Sequence, residues 1–272
     1  MRSKIWLIIL ASLLIVAVGG LGFAWSYGLF DTSVKNAGSH IENSSNTSFG
    51  DLTEALALAR KAQEVLNQMP GYKCVYLRDE LIGLEMQQNY LNLTIQHKPF
   101  SVCMEWIEPK SKKGRKAIFV EGKNDNKMLV KQLVLKLTLD PVESIKRKES
   151  RHTIREAGLK NMVDRFVAAW EKEIHLSETA TRYSDADVKV MVSGKEVVYP
   201  CRCVETVHPM ETKGKYTFQR TLVFFDKTNH WPVRMEGYDW PTSNSGEGRL
   251  AEKYIYINVQ PLPNPKPDDF SL

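Results

Sequence analysis

The chain has 272 residues and a mass of 31.1 kDa, enough for one large β domain or two small ones. Hydrophobic residues make up 43%, which permits a sizeable core, and the formal net charge of +5 is mild and locally clustered. With no basic helix carrying interleaved aromatics and no recognisable nucleic-acid motif, nucleic acid is excluded as a partner.

The N-terminus sets the expected compartment. Arg2 and Lys4 precede Ile5–Trp25, an uncharged run of 21 residues. As a helix it would be roughly 31 Å long, about one hydrocarbon core. A cleaved signal usually has a shorter apolar region and a small-residue cleavage site, whereas Gly19, Gly20, Gly22 and Ala24 are interrupted by bulky residues. No cysteine follows closely to carry a lipid. Residues 1–30 are therefore expected to be an uncleaved membrane anchor, with a cleaved signal as the alternative, and either exports the remainder. Positive residues before the run keep that end in the cytoplasm. The expected location is the inner membrane, single-pass, with the C-terminal domain on the periplasmic side, or secreted to the periplasm if the segment is cleaved. Residues 31–50, rich in Ser, Asn, Thr and Gly, read as a flexible tether. A domain over 51–272 follows.

Asp51-Leu-Thr-Glu54 has the form of a capping box, and Leu52, Leu56, Ala59, Ala62, Leu66 and Met69 recur at helical spacing until Pro70-Gly71. Strands follow: Tyr72–Leu81, Met86–His97 and Phe100–Ile107, then the lysine-rich loop Pro109–Arg115 leading into a strand at Lys116–Glu121, and an apolar run Met128–Leu139. Asp140-Pro141 opens a short helix, and Thr153-Ile-Arg-Glu156 is a second capping box. It is expected to start a helix with Leu159, Met162, Val163, Phe166, Val167, Trp170 and Ile174 on one face. A second β block runs through Val188–Val192, Glu196–His208, Tyr216–Asp226, Pro232–Trp240 and Leu250–Val259. This order predicts an α+β fold: one curved antiparallel sheet, an incomplete β-barrel, with a few helices gathered on its concave face.

Motifs along the chain carry a resemblance. Tyr72-Lys-Cys74, Arg78-Asp-Glu80, His97-Lys-Pro-Phe-Ser-Val102, Leu139-Asp-Pro141, Trp231-Pro-Val-Arg234, Tyr254-Ile-Tyr256 and Asp268-Asp-Phe270 resemble an uncharacterised bacterial family of exported proteins. Cys103 departs from it, standing where a tyrosine is expected. That family is remotely similar to the LolA/LolB and RseB type of periplasmic domain. The resemblance implies a half-barrel around a few helices with an apolar cavity between them, in domains that carry lipoprotein acyl chains or sense envelope lipids.

Chemistry-bearing residues are sparse. The four cysteines permit disulfides in an exported domain, with Cys74 to Cys201 or Cys203 as the best guess and free buried thiols as the alternative. The six histidines are scattered, no serine sits in a nucleophile motif, and no ligand spacing suggests a metal, so no catalytic residue, metal or cofactor is assigned. Two basic clusters, Lys110–Lys116 and Lys146–Arg151, read as solvated loops or as contacts to anionic head groups. The sharper candidates are the alternating apolar residues Leu93, Ile95, Phe100, Val102, Met104, Trp106, Phe218, Leu222 and Phe224, taken as facing inward, toward a filled core or a hydrophobic ligand. The expected function is a non-catalytic, membrane-tethered exported domain that binds lipid or a lipoprotein acyl chain. One alternative is an envelope protein-interaction or sensor module with a closed core. Another, an envelope hydrolase, would need clustered His, Asp, Glu or Cys side chains.

Overall fold

A computed structural model describes residues 48–49, 51–192, 195–242 and 246–272. The expected anchor and nearly all of the tether lie outside the described residues. Among the described residues, no helix is long and apolar enough to cross a membrane.

Twelve strands make one open, curved, antiparallel sheet. The first meander is β2 (Gly71–Ile82), β3 (Glu85–Gln96), β4 (Ser101–Glu108), β5 (Lys116–Val120), β6 (Met128–Gln132) and β7 (Leu135–Leu139). The second is β8 (Ala180–Val192), β9 (Lys195–Val207), β10 (Arg220–Asp226), β11 (Pro232–Tyr238) and β12 (Leu250–Pro261). Pairing of β12 with β2 joins the two, and the two-residue β1 (Ser48–Phe49) adds to β8. Helix α1 (Thr53–Asn67) precedes the first meander, while α2 (Glu143–Lys146) and α3 (Leu159–Glu173) connect the two. The α+β half-barrel architecture matches the expectation.

Period-2 alternation decides which side chains meet the helices. On β2, Tyr72, Cys74 and Tyr76 join the main core with Leu91, Leu93 and Ile95 of β3 and Val102, Met104 and Trp106 of β4. The buried stripes of α1 (Ala55, Leu56, Ala59, Ala62, Leu66) and α3 (Leu159, Met162, Val163, Val167, Trp170) close over that face. Between the two helices, Gln63 of α1 donates to Asp164 of α3 at 2.7 Å. The convex face has its own apolar cluster, because the far end of the β8–β9 hairpin outruns β10. Its Val188, Val190 and Cys201 pack with Leu77, Val233, Ile255 and Ile257.

Several local expectations need correction. Asp51 accepts from the Thr53 N–H at 3.0 Å, but Glu54 leaves the cap for Arg202, at 2.6 Å, so the first box is only half formed. The second box forms around the 3-10 turn Ile154–Glu156 and does not start the helix. Gly158, at φ +100°, breaks the chain, and α3 begins at Leu159, whose N–H donates to the Tyr72 hydroxyl at 2.7 Å. A side chain at 158 would meet that hydroxyl at 3.0 Å, on a backbone that only glycine adopts readily. The apolar run Met128–Leu139 is two strands, with Leu133-Val134 as the turn between them. Strand β8 starts at Ala180, eight residues before Val188, because its first half alternates weakly in polarity. Strand β10 starts at Arg220, since Tyr216 is taken up by stacking on His208 at 3.8 Å.

Candidate functional site

Where α3 ends its cover, the sheet is roofed by the short α2, irregular chain and the Ile154–Glu156 turn, and a cavity of about 60 Å³ remains beneath them. Its floor is apolar: Tyr76, Met104, Trp106, Met128, Val130 and Tyr256, from four strands. Tyr76 and Tyr256 are cross-strand partners in register, which stacks their rings with centroids 4.7 Å apart. Ile154, Ala157 and Met162 close the roof. Burial drives the hydroxyls of Tyr76 and Tyr254 well above the ordinary tyrosine range, so they act as neutral donors.

One end of the cavity is charged because the inward parity of β2 continues from Tyr76 to Arg78 and Glu80. Both are buried, at 8% and 1% exposure. Glu80 accepts from the Tyr254 hydroxyl at 2.8 Å, the Ser150 hydroxyl at 3.2 Å and the Arg151 N–H at 3.3 Å. Arg78 donates to the Ser150 hydroxyl at 3.2 Å, yet its Nε, 3.6 Å from Glu80, has no hydrogen-bond partner. Arg115 pairs with Glu149 at 2.6 Å, lies over the Trp106 ring, and also carries an unpartnered buried Nε.

Beyond the Ile154–Glu156 turn lies a larger groove of about 460 Å³, lined by Ile95, Phe100, Phe119 and Arg155 among others, and Ala157 borders both spaces. Arg155 holds the turn in place by donating to the Asn126 carbonyl at 2.8 Å and lying over Phe119.

The inward candidates divide accordingly. Met104 and Trp106 line the cavity, while Ile95 and Phe100 line the groove. Leu93 and Val102 are filled core under the helices. Phe218 packs at the margin of that core, its ring filling the space that Gly237 leaves open. Leu222 and Phe224 lie on the convex face and not inward as expected: Val223 and Phe225 point inward, and a one-residue change of phase moves every side chain across the sheet. Leu222 sits in register with Glu205 and Glu236, and Phe224 packs in the convex cluster under Arg234. Sequence reasoning missed Tyr76, Tyr254, Tyr256, Met128 and Val130. The alternation of Tyr254-Ile-Tyr256 and Met128-Leu-Val130 was the available signal.

The expected disulfide is not formed: all four cysteines are free and buried. Cys74 faces the helices and Cys201 belongs to the convex cluster, so the sheet itself separates them. Burial raises the Cys103 thiol to about 11 and those of Cys201 and Cys203 to about 12. Thiols so raised are poor nucleophiles and poor metal ligands. No group of three or more His, Cys, Asp or Glu that could hold a metal ion occurs among the described residues.

One histidine borders the cavity. Nε2 of His152 lies 2.8 Å from Glu252 and Nδ1 lies 3.4 Å from Glu156. Burial opposes its charge, but the hydrogen bond and charge of Glu252 outweigh it, and the pKa rises above 6.5. Each ring nitrogen thus faces a carboxylate, an arrangement that favours the protonated ring.

The chain belongs to the family described as protein of unknown function DUF1571, whose model matches residues 69–272. No curated protein matches it. Among solved structures, it is similar to the lipoprotein LppX of Mycobacterium tuberculosis at 11% identity, covering 78% of this chain and 97% of that one, with a TM-score of 0.43. A LolA superfamily protein of Nitrosomonas europaea aligns at 12% identity over 80% and 97% of the two chains, with a TM-score of 0.31. The Pseudomonas aeruginosa MucA/MucB complex aligns at 8% identity, 80% of this chain against 61% of that one, with a TM-score of 0.40.

Proposed function

We propose that this is a non-catalytic, membrane-tethered domain that binds a hydrophobic ligand, a lipid or lipoprotein acyl chain, between its sheet and its helices on the periplasmic side of the inner membrane. The observation that carries the reading is the cavity: a floor of Tyr, Met, Trp and Val side chains ends at two arginines with unanswered buried N–H groups. An acyl chain with an ester or carboxyl oxygen meets both needs, apolar burial for the chain and an acceptor for the guanidinium.

The resting volume sets a condition. About 60 Å³ is well below the roughly 300 Å³ at the low end of ligand sites. A chain of useful length therefore requires the Ile154–Glu156 turn to move, merging the cavity with the groove beside it. The roof is suited to this, since it is 3-10 turn and irregular chain hinged at Gly158. The test is native mass spectrometry of the full chain purified from membranes, with uptake of a fluorescent fatty acid. A lipid adduct that disappears in Ala157→Trp supports the proposal; repeated absence of lipid together with no uptake overturns it.

The small volume also favours a second reading, an interaction or sensor module whose core stays closed. Crosslinking in cells distinguishes it, because one stoichiometric protein partner with an empty cavity is the outcome that reading requires.

A further inference from the structure

The β6–β7 hairpin breaks two rules of sheet surfaces at one place. Strand β7 is an outer edge of the sheet, where exposed apolar side chains invite aggregation. Yet Leu133, Val134 and Leu135 at its turn are 82%, 97% and 57% exposed. Behind them, Lys131 and Lys136 stand directly opposite each other across β6 and β7, and Lys116 of β5, paired with Glu105 at 3.5 Å, continues the row. Like charges directly opposite one another destabilise a sheet.

The two irregularities have one common solution. The β4–β5 loop adds the exposed Lys110 and Lys113 beside the tip, held there by Gln132 donating to the Ser111 carbonyl at 3.2 Å, while Lys112 turns inward to donate to Asn89 at 3.3 Å. Lys131 stands two residues behind Leu133, roughly 7 Å at the rise of a strand. An interfacial segment that buries apolar side chains about 5–10 Å deep would leave ammonium groups at that distance level with the phosphates. Meanwhile Leu135, Leu137 and Leu139 share the concave side with Met128 and Val130, so an apolar stripe runs from the tip to the cavity floor.

We infer that the β6–β7 hairpin docks this domain on an anionic bilayer, with Leu133 and Val134 entering the interface and the lysine row meeting lipid phosphates. Charge complementarity selects this occupant. A second copy paired along β7 would bring the lysine rows together, which repulsion disfavours. The inference adds a surface to the function proposed above and does not depend on it: docking is read at the tip, whether or not the cavity takes a ligand.

The test uses the full chain reconstituted in vesicles, with Val134→Cys carrying an environment-sensitive fluorophore. The four native thiols are buried, so the new one labels selectively. In phosphatidylglycerol vesicles the label should shift to the blue and be quenched by nitroxide lipids, and neither should occur in phosphatidylcholine. A label at His230→Cys, in the β10–β11 turn, should remain water-like. At low ionic strength the docked-to-free ratio should fall about five-fold for each lysine neutralised in Lys136→Gln, which is exposed, and Lys131→Gln, which is half-buried and is read against its melting curve. A tip label insensitive to phosphatidylglycerol in a chain with an unchanged melting curve overturns the inference. So does a shift that follows protein concentration instead of lipid, which would indicate pairing between copies.

Discussion

The two halves of the sheet are closed in different ways. In the β8–β12 half both faces are sealed. Inside, Val204, Val223, Phe225 and Met235 belong to the main core, and the start of α1 is tied down where Tyr183 accepts from the Ala55 N–H at 3.1 Å. Outside, Glu205 and Glu236 are held by Arg220 and Arg234, and the β8–β9 hairpin covers the apolar centre. In the β2–β7 half, cover changes from helix to irregular chain part-way along the strands. A helix presents a continuous apolar stripe that fills the pleats of a sheet, whereas the turns between Ser144 and Gly158 carry mostly polar side chains and leave a gap. The cavity, the unanswered arginine donors and the exposed apolar edge all fall in that half. The site is placed by what the connection between the meanders fails to fill.

Thiol chemistry gives the largest expected contrast. With pKa values of about 11 for Cys103 and about 12 for Cys201 and Cys203, the native thiolate fraction near pH 8 is on the order of one in a thousand to one in ten thousand. Ellman's reagent should find almost no reactive thiol in the native chain and four after unfolding in denaturant. Cys103, in the more open half, should lead any slow native reaction. A total of two after unfolding would mean a bridge and would defeat the assignment of free thiols.

Substitutions inside each half come next. Glu80→Ala leaves Arg78 buried without its carboxylate and should cost about 3–5 kcal/mol in urea unfolding. Glu54→Ala, which removes the half-exposed pair with Arg202, should cost about 1 kcal/mol or less. Equal losses would contradict the distinction between a buried charged end and a solvated clamp. Leu93→Ala should cost about 2–5 kcal/mol, since Leu93 is 1% exposed in the main core. Leu222→Ala, on the convex side between two carboxylates, should fall at or below the bottom of that range. A larger loss at Leu222 would restore the inward placement that its sequence position suggested.

That misplacement marks what alternation reveals and what it hides. Leu91, Leu93 and Ile95 alternate with polar residues, so their face was legible. Leu222-Val-Phe-Phe225 is apolar on both sides, so no polar residue within it marks the phase. The helical stripe of α3 was equally plain, but its start was not. Thr153 and Glu156 make a true capping box around a single turn, and Gly158 together with Tyr72, 87 residues from Leu159 in sequence, fixes where the helix begins. The charged end of the cavity was hidden for the same kind of reason. Arg78 and Glu80 look like solvent-facing residues until β12 and the Ser150–Arg151 segment supply their partners.

The smallest expected effect lies at the seam between the halves, where His152 of the roof meets Glu252 of β12. A folded pKa raised above 6.5 means that His152 adds stability fully present below pH 6.5 and lost as pH rises through the folded value. Glu156 runs the other way. Burial raises it, but its hydrogen bonds to Thr153 and the neighbouring His152 prevail and hold it below 4.5, so its contribution is present above pH 4.5 and lost as pH falls through the folded value. The roof is thus best fastened between about pH 4.5 and 6.5 and loosens on the alkaline side, where the imidazolium loses its proton. The His152 ring, followed by NMR, should titrate above 6.5, and roof amides near Ile154 should exchange faster beyond that point. In His152→Gln the alkaline loosening should vanish while exchange in the β8–β12 half stays unchanged. A His152 titration below 6.5 would show that burial outweighs Glu252, and that the seam is held by a neutral hydrogen bond instead of an ion pair.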